Sequence, residues 1–407
     1  MKKISILGLC LVAGLTMSAQ KSLMKEVESA IKSGNFDYPT VKSKVDEITT
    51  NPETKNDAKA WMLGGNAAFA HYDALFLKVQ MGQEVDKKEL GNALIDGYDY
   101  MFKALPLDTV VDEKGKVKTK ESKKITKSII ENHASLFNAS ESLIQMGENE
   151  LAYKLLSTYV NTLNDARFAK IKENLNPEFL KYAHFYKAYV SLNTSKYDEC
   201  LADCDKALEL GYNEKQLFDV ALGAAFASQP QNLDAAYSYA EKAYGLYGKQ
   251  DANYLKNIIN INVYRKEYDK AKAFLNGLLA AEPTNAECYN LMGSINDAEG
   301  NRDAAIENFK KAIECDASLA EAHYNLGKVL ADKAFAINDG LSADISVAEY
   351  EKVYNTQLVP LFKEATIYLE KAYELDEQNL GSKALIYLRN LYSNLRDEEN
   401  LNRVNLM

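Results

Sequence analysis

Side chains able to do chemistry are few in this 407-residue chain, and their spacing does not gather them. The four histidines, His71, His133, His184 and His323, fall in four separate segments. There is no Gly-x-Ser-x-Gly elbow, no His-Glu-x-x-His helix, no phosphate loop and no dinucleotide fingerprint. Cys200 and Cys204 could join His184 on a zinc ion, but their spacing is not that of a finger and no second cysteine pair supports it. The run Asp397, Glu398 and Glu399 is more simply solvated charge than an acid–base pair. The chain is therefore expected to be no enzyme, to hold no cofactor or metal, and to use its histidines at core or rim positions. Recognition chemistry is better represented. The 26 tyrosines are rigid and amphipathic, suited to packing between helices and to contact surfaces. Residues 109–122, TVVDEKGKVKTKES, bring Lys114, Lys116, Lys118 and Lys120 together as the most basic spot of an acidic protein. They are expected to form an exposed loop or small hairpin, either a solvated linker or a docking patch for an acidic partner or membrane headgroups.

Helices must position these residues. With 47% hydrophobic and 26% charged residues, 7 prolines and 20 glycines, the composition is globular and helical. Residues 286–319, AECYNLMGSINDAEGNRDAAIENFKKAIECDASL, form two amphipathic helices about a turn at Glu299-Gly300-Asn301. Gly293 and Ala305 are small where the two helices cross closely, and Tyr289, Ile295, Ile306 and Phe309 supply the apolar faces. Gly300 is the residue that accepts a left-handed conformation after the first helix. Stepping back 34 residues to Ala252 puts Leu255, Ile258, Tyr268, Ala271, Leu275, Leu278 and Pro283 in the same frame. Stepping forward 34 to Ala320 does so for His323, Leu326 and Gly327. This pattern resembles the tetratricopeptide repeat, with Asn296 in place of the second aromatic and Ala317 in place of the closing proline. The resemblance implies an all-α fold, a right-handed α-α superhelix (TPR solenoid) of antiparallel helix pairs, each pair needing its neighbours to bury its apolar faces.

Residues 1–19 are expected to be a secretory signal peptide: Lys2-Lys3, an apolar run from Ile4 to Leu15, then Met17-Ser18-Ala19, with cleavage before Gln20. Leu9 before Cys10 argues against a lipid anchor there. The Ala19-Gln20 junction and the style of the leader resemble exported proteins of Bacteroidetes-type Gram-negative bacteria, which implies a periplasmic location. Removing Lys2 and Lys3 takes the net charge from −10 to −12, an acidic balance that argues against nucleic acid. No other run approaches 18 apolar residues, so no transmembrane span is expected. Four cysteines remain, Cys200, Cys204, Cys288 and Cys315, and an even number suggests disulfides in an exported protein. The repeat frame argues otherwise: it puts Cys200 and Cys204 on packing positions of one helix, where their side chains run alongside each other, so buried free thiols are expected.

Along the chain, residues 20–163 are expected to hold irregular repeats. An opening pair turns at Ser33-Gly34-Asn35. In the next, Gly97 follows Gly65 by 32 residues where the family interval is 12, so about 20 residues are inserted and the turn falls near Met81-Gly82-Gln83. A third pair, from Lys123 to Leu163, turns at Gly147. Residues 164–177 read as a looser connection. Residues 178–378 are expected to form the regular array, with an inserted segment over 331–358 because Gly327 meets its small partner only at Ala365. Residues 379–407 are expected to be capping helices.

In such arrays the first helix of each pair lines the inner face. Carried over by position, this implies a partner-binding groove of Asn253, Lys256, Asn260 and Tyr264, then Glu287, Asn290, Ser294 and Asp297, then Glu321, Tyr324 and Lys328. Lys256 and Asn260 match the first two members of the carboxylate clamp of chaperone-binding relatives. Leu291, Glu321 and Asn325 then stand in place of an asparagine, a lysine and an arginine, so that function is rejected. Tyr264 and Tyr324 are the expected anchors. Asp108-Thr109-Val110 resembles the short signal at which Bacteroidetes attach O-glycans, implying Thr109 as acceptor. The expectation is a non-enzymatic scaffold of the cell envelope that binds a protein or peptide. The alternative is a carbohydrate- or nutrient-binding accessory of an outer-membrane uptake system, although the starch-binding lipoproteins with these repeats are longer and lipidated.

Overall fold

The computed structural model describes residues 19–111, 117–175 and 177–407. The expected leader up to Ser18, with Cys10, and the loop residues Lys114 and Lys116 lie outside these. The fold is all-α, built of antiparallel helix pairs. It divides into two compact units, the first ending at Ala236 and the second beginning at Tyr237.

The first unit opens with helix α1 (residues 19–33), followed by α2 (Tyr38–Thr50), α3 (Ala58–Gln80) and α4 (Lys87–Leu107). A two-residue antiparallel ladder pairs β1 (Val110–Val111) with β2 (Val117–Lys118). Then come α5 (Ser122–Gln145), α6 (Asn149–Asn164), a 3-10 turn (Ala166–Phe168), α7 (Ala169–Asn174), α8 (Pro177–Asn193), α9 (Tyr197–Glu209) and α10 (Lys215–Ala227). Helix α11 (Leu233–Tyr247) holds the division point. The second unit continues with α12 (Asn253–Tyr264), α13 (Tyr268–Ala281), α14 (Ala286–Ala298), α15 (Arg302–Cys315), α16 (Ala320–Asp339), α17 (Val347–Val353), α18 (Val359–Leu375), α19 (Ser382–Leu395) and α20 (Glu398–Asn405).

Local chemistry sets these boundaries. Asp57, Asp86 and Asn285 accept backbone N–H groups at the starts of α3, α4 and α14, satisfying donors that no helical carbonyl reaches. Gly300 turns the chain after α14 with φ +85°. At the corresponding exits of α8, α12 and α19, however, Ser195, Lys266 and Arg396 hold φ near +59°. A side chain there costs about 1 kcal/mol, so packing rather than residue preference imposes these turns.

Close helix crossings follow the small residues. A Cβ on Gly293 would stand 2.5 Å from the Phe309 ring of α15. One on Gly327 would meet Leu369 at 2.6 Å and the Ala365 carbonyl oxygen at 3.1 Å, so α16 and α18 touch through backbone across the inserted segment. That segment lengthens α16 to Asp339 and adds α17 and a π-helical stretch, Tyr354–Leu358, which runs into α18.

Within residues 164–177, Phe168 is 0% and Ile171 8% exposed, and the Phe168 ring packs edge-on at 6.0 Å against Phe102. Cys200, Cys204 and Cys288 are buried and Cys315 half-buried, all four free. His184 faces an acid rather than the cysteines, its Nδ1 2.7 Å from Asp203, which also takes Lys187 at 2.5 Å. His133 stacks on Tyr159 at 4.1 Å, and burial pushes its pKa down. His323 is buried against the Ala317 carbonyl at 3.0 Å, and His71 stacks on Tyr38 at 4.4 Å. Among the described residues no helix is long and apolar enough to cross a membrane.

Candidate partner-binding face

Helices α12, α14 and α16 start 34 residues apart or nearly so, and charged side chains about one turn apart in that frame meet laterally. Lys256 Nζ on α12 donates to both carboxylate oxygens of Glu321 on α16, at 2.9 and 2.8 Å, and lies 3.5 Å from Glu287 on α14. Lys328 on α16 pairs with Asp297 on α14 at 3.3 Å and with Asp332 one turn on at 2.7 Å. Asn325 Nδ2 donates to Asn290 Oδ1 at 3.0 Å, and Ser294 Oγ to the Asn290 carbonyl at 3.2 Å. A polar ladder thus ties three helices together.

The electrostatics of the ladder follow from burial and pairing. Burial alone would lower the pKa of Lys256, but the hydrogen bonds it donates to Glu321 and the charges of Glu287 and Glu321 outweigh it and raise the value. Lys328 is held up to about 12: burial pulls it down, and Asp332 and Asp297 more than compensate. Glu287 moves upward because burial, aided by the charge of Glu321, wins over the pull of Lys256. Two lysines face four carboxylates, leaving two negative charges in excess. The Lys256 ammonium is already engaged, and an incoming C-terminal carboxylate would meet a site short of cations. A basic or neutral segment fits this face better.

Of the eleven residues expected here, Lys256, Glu287, Glu321, Asp297, Lys328, Asn290 and Ser294 are joined in the ladder. Asn290 is not on the open face: it is 2% exposed because its amide is held by Asn325. Asn253, Asn260 and Tyr264 stand exposed on α12 outside these pairs, Tyr264 at 75%. Tyr324 is half-buried, its ring edge-on to Tyr387 of α19 at 6.3 Å, and Tyr387 donates to Asp332 at 3.4 Å. Asp332 and Tyr387 were not among the expected residues, and Asn325 entered only as a replacement for a clamp arginine. Asp332 was open to detection as the i+4 neighbour of Lys328. In the first unit Thr109 is exposed, its hydroxyl donating to the Pro106 carbonyl at 2.6 Å, while Asp108 beside it is buried.

The tetratricopeptide repeat family matches residues 298–333, the stretch from the end of α14 into α16. With the helix pairs described above, it defines the fold as the tetratricopeptide type. No curated protein matches the chain. Among solved structures, YrrB, described as a TPR protein with an unusual peptide-binding site, is 19% identical over 48% of this chain and 94% of its own, with a TM-score of 0.33. A TPR repeats protein from Bacteroides fragilis is 16% identical over 64% of this chain and 98% of its own, with a TM-score of 0.33. The C-terminal part of a TPR repeat-containing protein from Cytophaga hutchinsonii is 14% identical over 66% of this chain and 92% of its own, with a TM-score of 0.37.

Proposed function

We propose that this protein is a non-enzymatic scaffold of the cell envelope that binds a protein or peptide along α12, α14 and α16. The observation behind this reading is the polar ladder itself, which fixes the three helices and leaves Tyr264 projecting beside it. An exposed aromatic on a polar wall can bury much area while losing little rotamer freedom. The excess of acid favours a partner segment that carries Lys or Arg. The envelope location rests on the leader-like composition of residues 1–19. The test is the double change Tyr264→Ala and Tyr324→Ala, scored for capture of partner from envelope extract by mass spectrometry and, separately, for melting temperature. Truncating such anchors costs on the order of 2 kcal/mol of binding. The Tyr264 part should leave the melt unchanged, whereas Tyr324 contributes some packing on Tyr387. Capture retained at wild-type level by the double variant would refute the face.

A further inference from the structure

We propose that the first unit carries a second binding site of opposite charge preference, a cleft between α5 and the segment 166–174 that receives an acidic segment of a partner polypeptide. This goes beyond the reading above and lies on different helices.

The cleft has a volume of about 1140 Å³. One wall presents Lys120, Lys123 and Lys127, from the exit of β2 into the first turns of α5, and the other presents Arg167 and Lys170. Glu131 and Glu173 complete the charged lining, so five cations stand against two carboxylates on a chain whose net charge is −10. Lys123, Lys127 and Ile130 recur at helical spacing, which puts two ammonium groups and an apolar side chain on one stripe. Lys123 and Lys127 are about 6 Å apart along the axis, within the spacing of alternate side chains on an extended segment.

Two of these five charges are not taken up by acids among the described residues. Lys127 reaches Glu131 only at 3.6 Å with both side chains largely in solvent, and Arg167 is held by Asp165. Lys120 and Lys123 meet no acidic partner among the described residues. The backbone that bears them is nevertheless fixed. The buried Asp108 carboxylate accepts the N–H groups of Lys120 at 2.9 Å and Glu121 at 2.8 Å, and the N–H and hydroxyl of Ser122, the latter at 2.6 Å. The opposite wall is pinned by Phe168 and Ile171, buried on the far side of the same short segment. Lys120 and Lys123, carried on a backbone held by Asp108, lose little order on binding.

The occupant follows from shape and charge. A membrane surface would press on a convex patch, and a bilayer or a nucleic acid would bring an extended array of negative charge against the acidic remainder of the chain, whereas a short acidic segment meets only the cleft. A segment with alternating acidic and apolar residues can place carboxylates against Lys120, Lys123 and Lys127 and a side chain against Ile130.

The test uses the full chain and a fluorescein-labelled peptide of Asp and Glu interspersed with Leu, followed by anisotropy. Saturable binding is expected, weaker by roughly tenfold or more in Lys123→Glu/Lys127→Glu and falling steeply with added salt. The milder pair Lys120→Ala/Lys123→Ala guards against misfolding and should weaken binding in the same direction. Tyr264→Ala should leave this binding unchanged. Equal affinity for the charge-reversed variant, equal affinity for a peptide with Asn and Gln in place of the acids, or preference for phosphatidylglycerol vesicles over the peptide would each overturn the proposal.

Discussion

On α12, α14 and α16 the lysines have found counter-charges within the protein, Lys256 on Glu321 and Glu287, Lys328 on Asp297 and Asp332. At the cleft beside α5, Lys120 and Lys123 have none among the described residues. Repeat geometry accounts for the difference. Where successive first helices come at a constant interval, places one turn apart in the frame lie side by side at every step, and complementary charges there pair laterally. Where the segment 166–174 interrupts the pairs, side chains of two unlike elements face one another across a gap, and no register supplies a partner. Regular repeats therefore make a face whose charge is largely spent on cohesion, and the start of α5 makes one where Lys120 and Lys123 meet no acidic partner among the described residues.

The largest expected effect comes from breaking the regular half. Gly327→Leu would drive a side chain into the Ala365 carbonyl and the Leu369 amide, backbone groups of α18 that no rotamer change moves. We expect a loss of about 3 kcal/mol, more than for Gly293→Leu, whose obstacle is the Phe309 ring. Thermal melting reads the loss, and acidic-peptide binding at the cleft should survive. Equal damage to both sites would show that the two regions are one cooperative body.

An intermediate effect is expected at Asp108. Burial pushes its pKa up, but the hydroxyl and amide of Ser122 and the amides of Lys120 and Glu121 outweigh burial and hold it below the usual 3.8. A carboxyl harder to protonate when folded stabilises the protein fully above its unfolded value, and that stability is lost as pH falls through the lower folded value. Asp108→Asn, which turns an NH2 toward N–H donors, should cost about 1–3 kcal/mol at neutral pH and weaken the cleft. The deficit should vanish in strong acid. A pH-independent deficit in chemical denaturation would contradict this account.

The smallest effects separate paired from unpaired lysine. Lys256→Ala should cost about 1 kcal/mol or less, since the pair is partly exposed. Its removal leaves Glu287 and Glu321 to repel, so the cost should appear as pH rises above the ordinary carboxylate value of 4.5 and disappear below it. Lys123→Ala should leave the melt unchanged at every pH. Equal melts for the two variants would remove the distinction between spent and available charge.

What the sequence disclosed was whatever repeats. Gly293 and Gly327 at crossings, Gly300 at a turn and Gly82 and Gly147 at earlier turns are legible because packing and backbone conformation demand particular residue types there. Ser195, Lys266 and Arg396 make the same turn without that signal. Asn290 sits at a face position by count, yet its burial depends on Asn325 arriving from the next repeat. Tyr387 meets Tyr324 only after the inserted segment is folded away, and no interval predicts that. The packing of Phe168 depends on Phe102, which precedes it in sequence by the whole α5–α6 pair, and no local pattern announces it.

Asp108 stands where α4 ends, and the amides it gathers stand where α5 begins. The end of α4 and the start of α5 are thereby tied to a single carboxylate, so the place where α5 begins is fixed by Asp108. Lengthening the chain between them adds a closure cost of only about 0.6 kcal/mol per doubling, and the placing of Lys120 and Lys123 stays the same. The chain thus has a built-in grafting point. New sequence can be tried at the mouth of a binding site, by engineering or by evolution, while the site and the fold beneath it are left alone.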